Sequence, residues 1–483
     1  MSSITIAWIA LPLFIGFSIY LIPKLDRYLA LGVALVSFGY GLERIDSSPL
    51  NLTLLDNFGV SLVVDPLSAF FILTNALVTA AVILYCWRSD KTAFFYTQTI
   101  ILHGSVNAVF ICADFISVYV ALEVISIAAF LLIAYPRSDR SIWVGLRYLF
   151  VSNIAMLFYL IGAVLVYQAN HSFGFEGLRQ APPEAVALIF LGLLTKGGIF
   201  VSGLWLPLTH SESETPVSAL LSGVVVKTGV FPLLRCALMV EELDPIVRIF
   251  GVGTALMGVG YAVWEKDTKR MLAFHTVSQL GFILAAPEVG GFYALTHGLV
   301  KSALFLIAGN LPSRNLKELK QIAIPTPIWC ALVIASFSIS GFPLLSGFGA
   351  KVLTMKNLVP WQVIGMNIAA LGTAISFAKF IFLPHGGEGK VKPGFWSAMT
   401  ILLGGLIIAN CVYYDAYTIY NIIKPLVTIG IGWLVYLLIF QRATLKLPRM
   451  LEQFDHLIGV MSLMLTLLFW IVLVQYGRNT PPV

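Results

Sequence analysis

Five lysines stand inside apolar runs long enough to cross a bilayer: Lys196, Lys227, Lys301, Lys351 and Lys379. A span needs about 20 mainly apolar residues. An ammonium at its centre costs about 2.5–3.5 kcal/mol on an insertion scale, so five facing lipid would cost roughly 15 kcal/mol. They must therefore face a protein interior or water, with carboxylates, histidines or each other as neighbours. No soluble domain is available to hold them. Of 483 residues, 58% are hydrophobic and 11% charged, against about 25% charged in an ordinary soluble domain.

The chain reads as an all-α polytopic membrane protein of about 14–16 spans. Sixteen runs are predicted, at 4–22, 27–42, 63–86, 93–112, 114–134, 144–167, 184–205, 216–239, 245–264, 270–286, 291–310, 324–355, 361–384, 396–414, 419–440 and 455–476. The first has no basic leader and no cleavage site after it, so it is read as a retained span. On this count seventeen loop lysines and arginines fall on one side and six on the other. That asymmetry places both termini on the outer face. Arg147 and Lys424 lie near run ends and are expected to snorkel to the interface.

The net charge of +6 reports loop orientation here, not nucleic-acid binding. The five cysteines are scattered singly without a CxxC pair, which suggests neither a zinc site nor an iron–sulfur cluster. No phosphate-binding loop, HExxH or dinucleotide fingerprint is present. The reading is therefore ion movement, with no cofactor, no metal and no catalytic centre in this chain.

Glu123 is the one acid inside its run, Asp114 standing at the run's first position. Desolvation would drive a lone carboxylate neutral, and a nearby ammonium would keep it ionised. It could be a packing salt bridge or a relay carboxylate; the number of titratable groups in neighbouring runs favours the relay. Lys196 is followed by Gly197, Gly198 and Gly203. Glycines weaken a helix, and irregular backbone in a bilayer survives only where it is buried in protein or lines a cavity. A second interruption, SISGFPLLSGFGA, holds Gly341, Pro343 and Gly347 and runs straight into Lys351. Paired interruptions in two halves, about five spans apart, point to an inverted-repeat transporter.

His275 stands in the tenth run. His297 and Lys301 stand at i and i+4 in the eleventh, on one helix face. Histidine titrates near neutrality and can pass protons between lysines and water. Lys227 comes one run after Lys196, and Lys379 one run after Lys351, so the halves repeat the same order. The polar turn with His210, Glu212 and Glu214 reads equally as a solvated loop or as part of the site. The units expected are N-terminal helices 1–92, five-helix repeats 93–239 and 245–384, and C-terminal helices 396–483.

These motifs resemble a known family. Lys196 with WLP, then TH, then TPVSALLSGVVVKTGVFPL is similar to the central motif of antiporter-like membrane subunits of respiratory complex I and of Mrp-type cation/proton antiporters. DPLS at Asp65–Ser68, Glu123, HGLVKSALFLIAG and SGFPLLSGFGAK fall in the same order. The resemblance covers about residues 60–385. It implies two inverted five-helix repeats with broken seventh and twelfth helices, and a midplane proton path through Glu123, Lys196, Lys227 and Lys351. It also implies protons and Na⁺ as cargo, other membrane subunits as partners, and a bacterial plasma membrane. A complex I-type proton pump is the alternative reading. Where the family carries Pro and His before WLP, this chain has Val201 and Gly203; after WLP it reads Leu-Thr-His. The region from about residue 415 matches nothing in the pattern.

Overall fold

Helix starts in this chain are set by short polar caps at the ends of apolar runs. Asp65, Asp114, Ser138 and Asp267 each accept a hydrogen bond from a first-turn backbone amide. Such caps satisfy N–H groups that the helix itself cannot pair, which matters most near a bilayer. The structure is a computed structural model describing residues 2–55, 59–389, 391–443, 445 and 447–477. Lys390, Lys446 and Arg478, counted above in the charge asymmetry, lie outside the described residues.

Each of the sixteen predicted runs overlaps a helix or a broken helix. In order these are α1 (Ser2–Leu21), α2 (Asp26–Ile45), α3 (Pro66–Tyr85), α4 (Ala93–Val109), α5 (Phe115–Ile133) and α6 (Asp139–Asn170). The first broken unit is α7 (Pro183–Gly197) with α8 (Leu206–Glu212), followed by α9 (Thr215–Leu220) running into α10 (Lys227–Met239). Then come α11 (Asp244–Trp264), α12 (Thr268–Ala285), α13 (Gly290–Ala308) and a short loop helix, α14 (Leu316–Leu319). The second broken unit is α15 (Thr326–Ser340) with α16 (Ser346–Lys356). The rest are α17 (Val363–Ile381), α18 (Phe395–Val412), α19 (Ile419–Val435, extended by a wider turn to Phe440) and α20 (Phe454–Gly477).

Among the described residues, 13 helical units are long and apolar enough to cross a membrane. The other three runs fall short for separate reasons. Helix α4 has 17 residues. Helix α12 carries Lys269, Arg270, His275 and Gln279. The α15–α16 unit is interrupted.

Two edges differ from the sequence reading. The connection before α3 folds as a hairpin, β1 (Leu50–Leu55) antiparallel to β2 (Gly59–Val64), so the third span starts at Pro66. Its alternating valines and leucines satisfy their backbone in strand pairs, and the Ser61 amide donates to Asp114. Likewise Ile324–Pro325 pairs as a short strand with His385–Gly387, and α15 starts at Thr326.

The core is the α9–α10 unit, α12 and α13, which are buried almost throughout. Helix α19 is peripheral, with 17% of its most apolar window buried. Near one end of the bundle lie the ion pairs Lys91–Glu214, Arg140–Glu212, Arg270–Glu265 and Arg314–Asp267; at the other lie Arg235–Asp65 and Arg248–Asp244. The C-terminal helix α20 packs along α7. Glu452, just before it, receives two bonds from Arg270, at 2.7 and 2.8 Å, and its carbonyl accepts from Arg147.

Candidate functional site

The first broken unit presents Lys196 at its joint. Helix α7 closes on Gly198, whose φ of 71° lies in the left-handed region that favours glycine. A Cβ on Gly203 would sit 2.1 Å from the Gly198 carbonyl oxygen, so this chain's glycine there lets the turn fold back on itself. Trp205 of the WLP motif donates to the Thr195 carbonyl at 2.9 Å and pins the fold-back.

Lys196 is 2% exposed. Its Nζ donates to Ser126 Oγ at 2.5 Å, Ser152 Oγ at 2.8 Å and Tyr148 OH at 3.5 Å. Ser126 and Ser152 also bond to each other at 3.0 Å. Ser126 stands one helical turn after Glu123 on α5, on the same face. Glu123 and Lys196 are close enough for their charges to interact, yet no ion pair within 4.0 Å joins them. Glu123 Oε1 is buried without a protein partner.

From there the backbones carry the site inward. A Cβ on Gly229 would lie 2.3 Å from the Gly197 amide nitrogen, so α7 and α10 cross at backbone contact. Lys196 and Lys227 each stand within two residues of that crossing. Between α9 and α10 the helix widens into a π turn, Leu221–Val225. This turn offers the Ser222 carbonyl to Lys227 Nζ at 2.9 Å.

Hydrogen bonds from the two halves then meet in the core, each lysine ending on a main-chain carbonyl. Ser222 Oγ meets Thr276 Oγ1 at 2.7 Å, Thr276 Oγ1 donates to the Leu272 carbonyl at 3.1 Å, and Lys301 Nζ donates to the same carbonyl. Lys227, His297 and Lys301 form one electrostatic group. His297 and His275 are buried with both ring nitrogens free of protein partners. Buried polar atoms of this kind are usually met by ordered water. A cavity of about 10 Å³ between His297, Gln279, Tyr293, Ser338 and Gly347 is of the size of a single water. It joins His297 to the second break.

That break repeats the first in outline. Helix α15 closes on Gly341, with φ of 85°. A Cβ there would meet the Lys351 stem at 2.8 Å, and one on Gly347 would lie 1.8 Å from the Ser338 carbonyl oxygen. Pro343 lies in the turn between the arms. Lys351, on α16, is 8% exposed; its Nζ has no protein partner and lies 5.4 Å from the Phe282 ring. It lines a cavity of about 220 Å³.

The structure thus brings Glu123 with Lys196, and Lys227 with His297 and Lys301; the charges of Lys301, Lys351 and Lys379 act together on His275. Lys379 is held differently. Its Nζ donates to the Ala262 and Glu265 carbonyls at 3.0 and 2.9 Å, capping the end of α11. Of the two readings the sequence leaves for His210, the structure does not bear out the solvated turn. The residue is 0% exposed and stacks on Phe305 at 4.8 Å, because α8 turns back into the bundle. Sequence reasoning also passes over Ser126, Tyr148, Ser152, Ser222 and Thr276. The spacing of Ser126 from Glu123, and of Ser152 from Tyr148, is the available signal.

Residues 112–376 match the family model described as NADH:quinone oxidoreductase/Mrp antiporter, transmembrane. The chain is 30% identical over 385 residues to the N-type subunit of NADH-quinone oxidoreductase from Desulforudis audaxviator, covering 70% of this chain and 77% of the relative. It is 25% identical over 437 residues to the D-type subunit of the Na(+)/H(+) antiporter from Alkalihalophilus pseudofirmus, covering 81% and 88%. Two solved assemblies share the fold. The archaeal membrane-bound sulfane sulfur reductase aligns with a TM-score of 0.74 and 21% identity over 90% of this chain and 100% of that one. The Mrp complex from Dietzia aligns with a TM-score of 0.71 and 20% identity over 98% and 97%. With more than half its length inside the family model and a relative 30% identical over 70% of it, the chain belongs to the NADH:quinone oxidoreductase/Mrp antiporter transmembrane family.

Proposed function

We propose that the chain is the proton-moving membrane subunit of a multisubunit cation/proton antiporter in a bacterial plasma membrane, with Na⁺ as the exchanged ion. Glu123 and Lys196 form the input pair. Lys227, His297, Lys301 and His275 hand the proton across the core, and Lys351 releases it. A proton arriving on one lysine disfavours the charged form of the next, so neighbouring sites load and empty alternately. Residues 93–239 and 245–384 act as the two half-channels. The observation that carries this reading is the row of buried titratable groups Lys227, His297, Lys301 and His275 across the two halves, with the ring nitrogens of both imidazoles free of protein partners.

The test is Na⁺-dependent ΔpH in vesicles holding the assembled complex. Glu123→Ala and Lys196→Ala should each abolish it; unchanged exchange would sink the proposal. A second reading, the pump module of a quinone-reducing complex, is supported by the 30% identity to an oxidoreductase subunit. Co-purifying chains discriminate: small antiporter subunits favour the first, iron–sulfur subunits the second. A purely structural role for the charges predicts that Lys351→Met alters assembly and spares transport.

A further inference from the structure

The cavity beside Lys351 is walled by four helices, α15 among them through Ser340, and one of the four lies beyond the matched family region. Helix α16 contributes Lys351 and Lys356, α17 contributes Asn367, and α19 contributes Tyr420, Lys424 and Thr428. Helix α19 otherwise exposes Ile423, Leu426, Val427, Ile431 and Leu434. Its polar residues Tyr420, Lys424 and Thr428 recur every four positions, on one face. Polar side chains on a peripheral membrane helix are retained where they meet water or protein. Here that face is the cavity wall. Lys424, expected from sequence to snorkel, is exposed and also lines this cavity.

Three lysine side chains, the buried Lys351 and the exposed Lys356 and Lys424, therefore line a space of about 220 Å³, and no carboxylate is among its described lining residues. A metal cation entering would meet uncompensated like charge. A proton crosses as a transfer between amine and water, without a free cation having to dwell there. We propose that Lys424, together with Lys356, makes this cavity a cation-excluding proton port, so that the metal ion exchanged by the assembly does not pass Lys351. This inference rests on the proton-relay reading above.

The experiment uses the whole complex in vesicles, with proton flux read by a pH dye and Ba²⁺ added on the cavity side as the probe cation. Wild type and Lys424→Arg should be blocked only at high Ba²⁺ concentration. Lys424→Gln should become blocked at a concentration about tenfold lower, as expected for losing one nearby like charge, and Lys424→Glu lower still. If the glutamate variant fails to assemble, the glutamine variant alone decides. Wild-type proton flux already blocked at the variants' Ba²⁺ concentrations, or variants as insensitive as wild type, would overturn the port while leaving the relay intact. Undiminished proton flux in Lys351→Ala would instead overturn the relay reading itself.

Discussion

Lys196 Nζ lies 2.5 Å from Ser126 Oγ, and Ser126 stands one turn along α5 from Glu123. Ser126 Oγ accepts that bond and donates to the Leu122 carbonyl at 2.8 Å, so the hydroxyl holds the ammonium against the α5 face that also carries Glu123.

Replacing that hydroxyl should slow transport without unfolding the chain. Ser126→Ala leaves Lys196 with Ser152 and Tyr148, and a lost bond to a charged group costs about 1.5–3 kcal/mol. Proton flux is expected to fall about tenfold or more, with Ser126→Thr recovering most of it. Ser152→Ala combined with Ser126→Ala should show coupling in a double-mutant cycle, read as vesicle ΔpH.

Lys227→Met separates function from stability. The ammonium's hydrogen bond is to one main-chain carbonyl, and replacing a buried charge by an apolar side chain is often neutral or stabilising. Exchange should vanish while the unfolding temperature in detergent stays level or rises. Loss of both together would point to a packing role.

Asp65 sets an acid limit on stability. Burial alone would raise its carboxyl, but the Arg235 guanidinium and the Ser68 amide outweigh it and hold the group below the ordinary carboxylate range. A depressed folded pKa contributes stability that is complete above the unfolded value of about 3.9 and is lost as pH falls through the folded value. Melting temperature in detergent should be level across neutral pH and drop below about pH 4. Asp65→Asn should lower it at neutral pH and flatten that acid limb.

Gly229→Ala tests the crossing of α7 and α10. Its Cβ would lie 2.3 Å from the Gly197 nitrogen and 2.4 Å from the Leu193 carbonyl oxygen. Neither is a flexible side chain, so backbone must move, at a cost of about 1–3 kcal/mol or more. Purified yield and melting temperature should drop. Gly404→Ala, where nothing lies within 4 Å, should be silent.

What can be read from sequence depends on whether a residue violates its surroundings. A lysine in an apolar run is costly, so Lys196, Lys227, Lys301 and Lys351 announce themselves, and so do the glycine clusters at Gly198 and Gly341. Serine and threonine carry no such contrast. On a membrane helix they can bond their own backbone four residues back, as Thr276 does to Leu272. Hence Ser126, Ser152, Ser222 and Thr276 stay invisible until neighbouring helices are placed. The π turn at Leu221–Val225 has no local signature in an apolar run. Lys379 looks like Lys351's counterpart because order along the chain does not say which carbonyls will surround a lysine. The solvated reading of His210 stays open because a polar turn ordinarily meets water, and the residue's burial depends on α13 lying beneath it.

The close packing at both interruptions depends on glycine: with no Cβ at Gly203 the main chain reaches the Gly198 carbonyl, and with none at Gly347 it reaches that of Ser338. Swinging either arm would part backbone that lies at contact distance. A cross-link fastening either elbow should leave the exchange rate untouched where the arms act as fixed brackets, and should lower it where they swing.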